Sequence, residues 1–284
     1  MNDAELIRGM PSAEYHGMDR ISQSGIKLFL KDPGQYEERH VLKIPRTETP
    51  KHFIWGQDFE DLIFEDTLPG VVIPEDVLSR SERDGKVILR RAGPAWREFE
   101  TRMKAEHGDD VRLLKSDEWE KSVQPLLLAR DQLRANDKAA KLVEGDRHTV
   151  ALWEDEETGL PCKCQFDIVS NRGCLVDLKT AADATPDQFN RAVFNFGYNM
   201  QAAWYSKAWE RATGERLPFA FVVVQSSPSY FCEVYTLADE WMELANNKIA
   251  TGLRRLAAAL ESGKFETETC GRVVELRPLP WMTK

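Results

Sequence analysis

Cysteine is scarce in this chain: five in 284 residues, at positions 162, 164, 174, 232 and 270. An odd number with no C-x-x-C spacing supports neither a disulfide framework nor a thiolate zinc site, and it points to a reducing compartment. Histidine is equally sparse, and His52, His107 and His148 show no ligand spacing. No P-loop, no G-x-G-x-x-G and no serine–histidine–aspartate order is present, so NTP hydrolysis, dinucleotide binding and acyl transfer lack support. No run approaches the ~20 apolar residues that span a bilayer. The opening MNDAELIRGM has no apolar h-region, so neither a membrane span nor a signal peptide is expected, and the expected location is the cytoplasm. A basic excess is missing too: 38 Lys and Arg stand against 47 Asp and Glu, for a net charge of −9. That disfavours a nonspecific coat on nucleic acid, which needs a basic footprint. It is compatible with an enzyme, because carboxylates gathered around a cation site add negative charge and a locally basic groove can sit in an acidic exterior.

What the chain does have is enough apolar residue, 42%, to bury a substantial core in one large domain. Ser22 or Ser24 is positioned to cap a helix through Ile26, Leu28, Phe29 and Leu30 that stops before Asp32-Pro33-Gly34. IPRTETPKHF reads as a loop. WGQDFEDLIFED follows with Phe59, Leu62, Ile63 and Asp66 at helical spacing and Glu60 beside the stripe. From about Arg80 to Glu144 the chain is charged and helix-prone, and its charge runs read as solvated faces. The character changes at His148, where a strand is expected to start. Three strand-like runs follow, separated by EETG and SNRG turns. Cys162 and Cys164 alternate with Lys163 there, as small residues packed on one face.

Thr185 as N-cap, Pro186 at the first helical position and Gln188 at the third predict a capping box. Its helix carries Phe189, Ala192, Val193 and Phe196 as an apolar stripe. A second helical run ends at Gly214, and two strands and a long helix from about Asp239 to Ser262 complete the order. The expected fold is α/β, a mixed central sheet flanked by helices. The expected organisation is a single domain over residues 1–284, with a mainly helical part over 1–145 and a sheet-bearing part over 146–284.

The candidate chemistry lies in CQFDIVS and CLVDLKT. Alternation puts Leu175, Asp177 and Lys179 on one face of a strand, and a SNRG turn brings Asp167 opposite or nearly opposite Asp177. Two carboxylates a few ångströms apart repel and are costly to desolvate. A divalent cation relieves both problems, and hard oxygen donors with retained waters suit magnesium. The ammonium of Lys179 beside such a site would orient a water, stabilise the hydroxide formed from it or neutralise a pentacovalent phosphate. A bare D-x-K is otherwise an ordinary strand salt bridge. Gln201 and Tyr205 share a helix face with Tyr198. Gln201 and Tyr205 read as an amide and a phenol that hold a phosphate or nucleotide, or else Tyr198 and Tyr205 are core aromatics with polar tips. Glu60 offers a third carboxylate.

Taken together, Asp167, Asp177-Leu178-Lys179 and Gln201-x-x-x-Tyr205 resemble the PDDEXK nuclease superfamily, in its RecB-like branch. More closely, the chain resembles the RecE-type exonucleases (the exonuclease VIII C-terminal domain) of bacteria and prophages. EYHGMDRISQSGIKLFLKDPGQYE, WGQDFEDLIFE, FAFVVVQSSPSYFCEVYTL and LRPLPW occur in the expected order around that motif set. The resemblance implies a PDDEXK core in which Asp167, Asp177 and the Leu178 carbonyl ligate two Mg²⁺ ions, with Mn²⁺ able to substitute. Lys179 would position the water, and Gln201 and Tyr205 would support the site and the scissile strand. Glu60 stands where relatives commonly place a histidine ligand, and Gln225 stands where they often carry an acid. The cysteine pattern of the iron–sulfur branch is missing, so no cluster is expected.

The resemblance further implies 5′→3′ degradation of linear double-stranded DNA, leaving single strands for recombination, in a ring-like trimer or tetramer that can work with a single-strand annealing protein. The alternatives are a structure-specific or single-strand nuclease with the same site, or a catalytically weak recombination scaffold. Ser22, Ser24, Lys27, Lys31, Arg172, Arg191 and Tyr198 are the candidates for contact with DNA.

Overall fold

The computed structural model describes residues 4–44, 51–84, 86–267 and 269–278. Its centre is a five-stranded mixed sheet, ordered Cys232–Tyr235, Phe219–Gln225, Cys174–Ala181, Ile168–Ser170 and Gly145–Asp146. Only the contact between the two longest strands is parallel, from Leu175 opposite Phe219 to Ala181 opposite Gln225. A parallel pair needs a crossover. Helices Pro186–Phe196 and Tyr198–Thr213 supply it. A second, antiparallel sheet joins Glu5–Ile7, Thr149–Glu154 and Pro161–Phe166.

Every residue of Phe219–Gln225 is buried, as expected of a strand covered on both faces. One face places Leu175, Phe219, Phe221 and Val223 against Trp204, Tyr205, Ile249 and Leu253 of the crossover and C-terminal helices. The other places Val176, Leu178, Val222 and Val224 against Phe59, Leu62, Leu126 and Leu133 of helices Lys51–Phe64 and Gln124–Ala135. Burying each such side chain contributes about 1.5–3 kcal/mol. Asp177 therefore lies inside a three-layer sandwich, fully buried.

The entry helix is Gln23–Lys31, capped by Ser22, whose hydroxyl accepts from the Gly25 amide at 3.2 Å. Ser24 adds a 3.0 Å hydroxyl contact to Ser22. Of the expected 44–53 loop, residues 45–50 lie outside the described residues and 51–53 belong to helix Lys51–Phe64. Asp66 falls beyond that helix, with a φ of 51°. The reading of 80–144 as helical needs correction at its start. Ser79–Arg83 and Lys86–Arg90 form an antiparallel hairpin, which packs Leu89 against Trp96 and Phe99 in a small side core. Ser81, Ile88 and Leu89 sit among charges there, so the alternation was hidden by the polar neighbours.

His148 does not open a strand. It sits at φ 58° just before Thr149. Cys162 and Cys164 are buried as expected, but Lys163 is buried too, because its ammonium donates to the carbonyls of Tyr15 (2.7 Å) and Met18 (2.8 Å). The capping box at Thr185 is not made: the Thr185 hydroxyl donates to Asp183 at 2.7 Å instead. Phe189 and Val193 face the core, whereas Phe196 is exposed. Gly197, at φ 64°, turns the chain between the two crossover helices in a conformation a β-carbon would strain. Among the described residues, no helix is long and apolar enough to cross a membrane.

Candidate active site

Ile168–Ser170 pairs with Cys174–Val176 through Val176 opposite Ile168. One step further along the same register, Asp177 faces Asp167. The hairpin thus sets two carboxylates side by side where the strands part, and the crossover helix closes over them. Helical spacing puts Tyr198, Gln201 and Tyr205 on one side of that helix. The Gln201 amide donates to Asp177 Oδ1 at 2.7 Å and to the Tyr205 hydroxyl at 3.1 Å. That hydroxyl in turn donates to Asp167 Oδ1 at 3.0 Å. The Lys179 ammonium lies 2.6 Å from Asp177 Oδ2 and 5.2 Å from the centre of the Tyr198 ring. A single chain of contacts therefore runs Lys179–Asp177–Gln201–Tyr205–Asp167. Tyr205 is a core aromatic with a polar tip, buried against Phe166 and Phe219, and its tip and the Gln201 amide meet the acids. They clamp the two acids.

Charge at this site is tightly balanced. Burial pushes the Asp177 carboxyl well up, Lys179 pulls it back, and Asp167 pushes it up again. For Lys179, burial works to lower the pKa, but the carboxylates of Asp177 and Asp167 more than reverse it, so this side chain is an ammonium. Burial pushes the Tyr205 phenol far up, which keeps it a neutral donor. Glu60, on helix Lys51–Phe64, is pushed up to about 7 by burial and then by Asp167, against the pull of Lys179 and Arg147. Asp167 thus acts on both Asp177 and Glu60.

Among the described residues, no three His, Cys, Asp or Glu side chains close tightly enough to cage an ion by themselves. Two carboxylates completed by a backbone carbonyl and waters are nevertheless a magnesium donor set. Asp177 Oδ2 is a fully buried oxygen whose neighbour is the Lys179 ammonium at 2.6 Å. The residues present fit a divalent metal.

The site opens into a cleft of about 940 Å³ whose lining includes Lys27, Trp55, Glu60, Leu178, Lys179, Tyr198 and Gln201. Glu60, Leu178 and Asp167 also line a smaller adjoining pocket of about 110 Å³ with Gln165 and Arg147. Trp55, Gln165 and Arg147 were not singled out from sequence. Gln165 was legible: it precedes Asp167 by two on the strand side, the period that shares a face. Of the proposed DNA contacts, Lys27 and Tyr198 reach the cleft. Ser22 and Ser24 are engaged in the helix cap, and Lys31 and Arg191 are exposed outside it. Arg172 occupies the turn before Cys174, outside the cleft lining. Gln225 is structural, accepting from the Ala184 amide (3.3 Å) and donating to the Pro228 carbonyl (3.0 Å).

Residues 97–277, more than half of the chain, match the family described as "PDDEXK-like domain of unknown function (DUF3799)". The chain belongs to this family. The hairpin acids, Lys179 and the Gln201–Tyr205 helix lie within the matched PDDEXK-like span, while Glu60 comes from the preceding part. A crystal structure of a "Putative exonuclease" from Eubacterium rectale is similar in fold, with a TM-score of 0.62 at 16% identity, covering 96% of this chain and 97% of that one. No curated protein matches the chain. The chain is a PDDEXK-like protein of mixed α/β fold.

Proposed function

We propose that this PDDEXK-like chain is a divalent-metal-dependent exonuclease of the RecE type. It hydrolyses linear double-stranded DNA from an end in the 5′→3′ sense and leaves single strands for recombination. The observation that carries the reading is the unbroken contact chain from Lys179 through Asp177, Gln201 and Tyr205 to Asp167 at the wall of an open cleft. Asp167, Asp177, Glu60 and the Leu178 carbonyl would hold the metal, Mg²⁺ with Mn²⁺ able to replace it, as two ions. A bound metal of this kind supplies a water of lowered pKa and Lewis-acid polarisation of a phosphoryl oxygen.

The chain's own residues do the rest. Lys179, held as an ammonium, donates a hydrogen bond to the attacking water and compensates charge building on the phosphate. Asp177 keeps that ammonium in place. Gln201 and Tyr205 fix the rotamers of the two acids, as outer-shell partners do. Lys27 adds positive charge to the cleft wall, donating to the Phe196 carbonyl at 3.0 Å. A ring-like trimer or tetramer, with basic groups turned to its channel, would let a chain of net charge −9 hold DNA. A single-strand annealing protein is the partner that fits the product.

Purified protein is incubated with Mg²⁺ and linear duplex, closed circular duplex or single-stranded DNA, beside the Asp177→Ala and Lys179→Ala variants. The expected result is loss of the linear duplex only, and at least 100-fold less of it in either variant. Equal digestion by wild type and variants would overturn the reading. Digestion of closed circles would replace it with an end-independent nuclease on the same site.

A further inference from the structure

The hairpin of strands Ser79–Arg83 and Lys86–Arg90 is a basic element in an acidic chain. Residues 79–91 hold five Lys and Arg, at 80, 83, 86, 90 and 91, against Glu82 and Asp84, so they carry +3 where the whole chain carries −9. Cross-strand partners share a face. Arg83 stands opposite Lys86, Ser81 opposite Ile88 and Ser79 opposite Arg90, so one face holds Arg83, Lys86 and Arg90 and no acid. All three are exposed. The other face turns Leu89 into the side core with Trp96 and Phe99. Like charges directly opposite each other destabilise a strand pair, so Arg83 and Lys86 impose a cost that an anion would relieve. Arg80 is engaged by Glu75 at 3.2 Å, and Arg83 has its neighbour Asp84 at 3.7 Å. Lys86 and Arg90 have no carboxylate partner among the described residues.

This ribbon is fixed near the rim of the catalytic cleft. The Lys115 ammonium donates to the Leu89 carbonyl at 2.7 Å, and the Arg91 guanidinium donates to the Leu113 carbonyl at 2.8 Å. Next to Leu113, Arg112 donates to Asp58 at 2.5 Å, and Asp58 lines the cleft from the helix that bears Glu60. We propose that Ser79–Arg90 is an arm that holds duplex DNA beside the cleft, with Arg83, Lys86 and Arg90 on its phosphates. The major groove of B-DNA, about 12 Å wide, admits a two-stranded β-ribbon. The ribbon has no aromatic ring on which an unpaired base could stack, which favours a duplex over a single strand. The proposal rests on the nuclease reading for its choice of polyanion, and its test reads binding without cleavage.

The full chain is titrated in EDTA, so that nothing is cut, with a labelled duplex of about 30 base pairs and with an oligothymidylate, over a range of salt concentrations. Arg83→Ser, Lys86→Ser and Arg90→Ser combined should weaken duplex binding about tenfold or more and reduce its salt dependence by about three ions. Oligothymidylate affinity should fall less than about twofold. A charge-matched control, Arg134→Ser with Lys138→Ser and Lys141→Ser, alters exposed positions of helices Gln124–Ala135 and Asp137–Leu142 and should keep the wild-type salt dependence. Lys86→Glu turns the like-charged pair into an opposite one. It should weaken duplex binding while the melting temperature stays level or rises, which separates lost contact from lost fold.

No duplex binding by wild type, a wild-type salt dependence in the arm variant, or an equal loss in the control variant overturns the arm. Digestion of linear duplex by wild type in Mg²⁺ then still decides the nuclease reading on its own. Arm-dependent duplex binding in a protein that never digests DNA supports the arm and overturns the nuclease reading. Equal losses for duplex and oligothymidylate remove the duplex as occupant and overturn the proposal.

Discussion

At the scale of single residues, this protein turns on two acids that cannot comfortably sit where they are. Asp177 is fully buried in the centre of a sheet, next to Asp167 and within 2.6 Å of the Lys179 ammonium. Removing one member of such a set leaves an uncompensated charge, so Lys179→Met should both abolish hydrolysis and lower stability by about 3 kcal/mol, seen as a shifted urea midpoint. Gln201→Ala acts differently, because it frees both acids without unburying them. It should cut hydrolysis about 10–100-fold and weaken Mn²⁺ binding in the same proportion, measured by calorimetric titration. A change in rate without a change in metal affinity would mean that Gln201 touches substrate rather than holding the acids. The pair Asp177 and Lys179 was legible because strand alternation is rigid. The clamp made by Gln201 and Tyr205 was half legible: the spacing announced a shared face, but which partners the face met depended on how the crossover helix lies over the sheet.

At the scale of elements, the site is only as firm as the helices that cover it. Helix Asp239–Ser262 packs on the entry helix at Gly252, where a β-carbon would meet Ile26 at 3.0 Å and Leu30 at 3.1 Å. Gly252→Leu should therefore destabilise the protein by about 1–3 kcal/mol in denaturant titration, through overpacking. The crossover helix has its own tether. Lys207 reaches Asp155 at 2.8 Å, and Thr158 donates to the same carboxylate at 3.0 Å. Burial pushes the Asp155 carboxyl up, but Lys207 and Thr158 outweigh it and leave it below the usual value of 3.8. A group lowered on folding stabilises above its unfolded pKa, and that stability fades as pH falls through the folded value. Asp155→Asn should thus cost about 2 kcal/mol near pH 7. The gap to wild type should close below about pH 3.8.

Element order was readable from punctuation such as Asp32-Pro33-Gly34, Gly197 and Gly214. The Ser79–Arg90 hairpin was not, because charged residues fill its solvent side and mask period two. The capping box failed for a local reason, since Asp183 competes for the Thr185 hydroxyl two residues away.

At the scale of the molecule, PDDEXK architecture explains why a chain with so few conventional catalytic signatures has a site at all. Parallel pairing of Cys174–Ala181 with Phe219–Gln225 forces a crossover, and the crossover delivers Gln201 and Tyr205 onto the hairpin acids. The helix bearing Glu60 packs on the opposite face of the same strand pair and closes the cleft. Glu60, which WGQDFEDLIFE offered as a third carboxylate, sits beside Asp167 in the smaller pocket. The most direct test is a calorimetric titration of Mn²⁺ into wild type and the near-isosteric Asp177→Asn variant, run beside digestion of linear duplex DNA at each metal concentration. Saturable binding in wild type, its loss in Asp177→Asn, and cleavage that rises with occupancy are the predicted results. Equal Mn²⁺ binding by the two proteins, or cleavage that persists in EDTA, would contradict a metal held between Asp167 and Asp177.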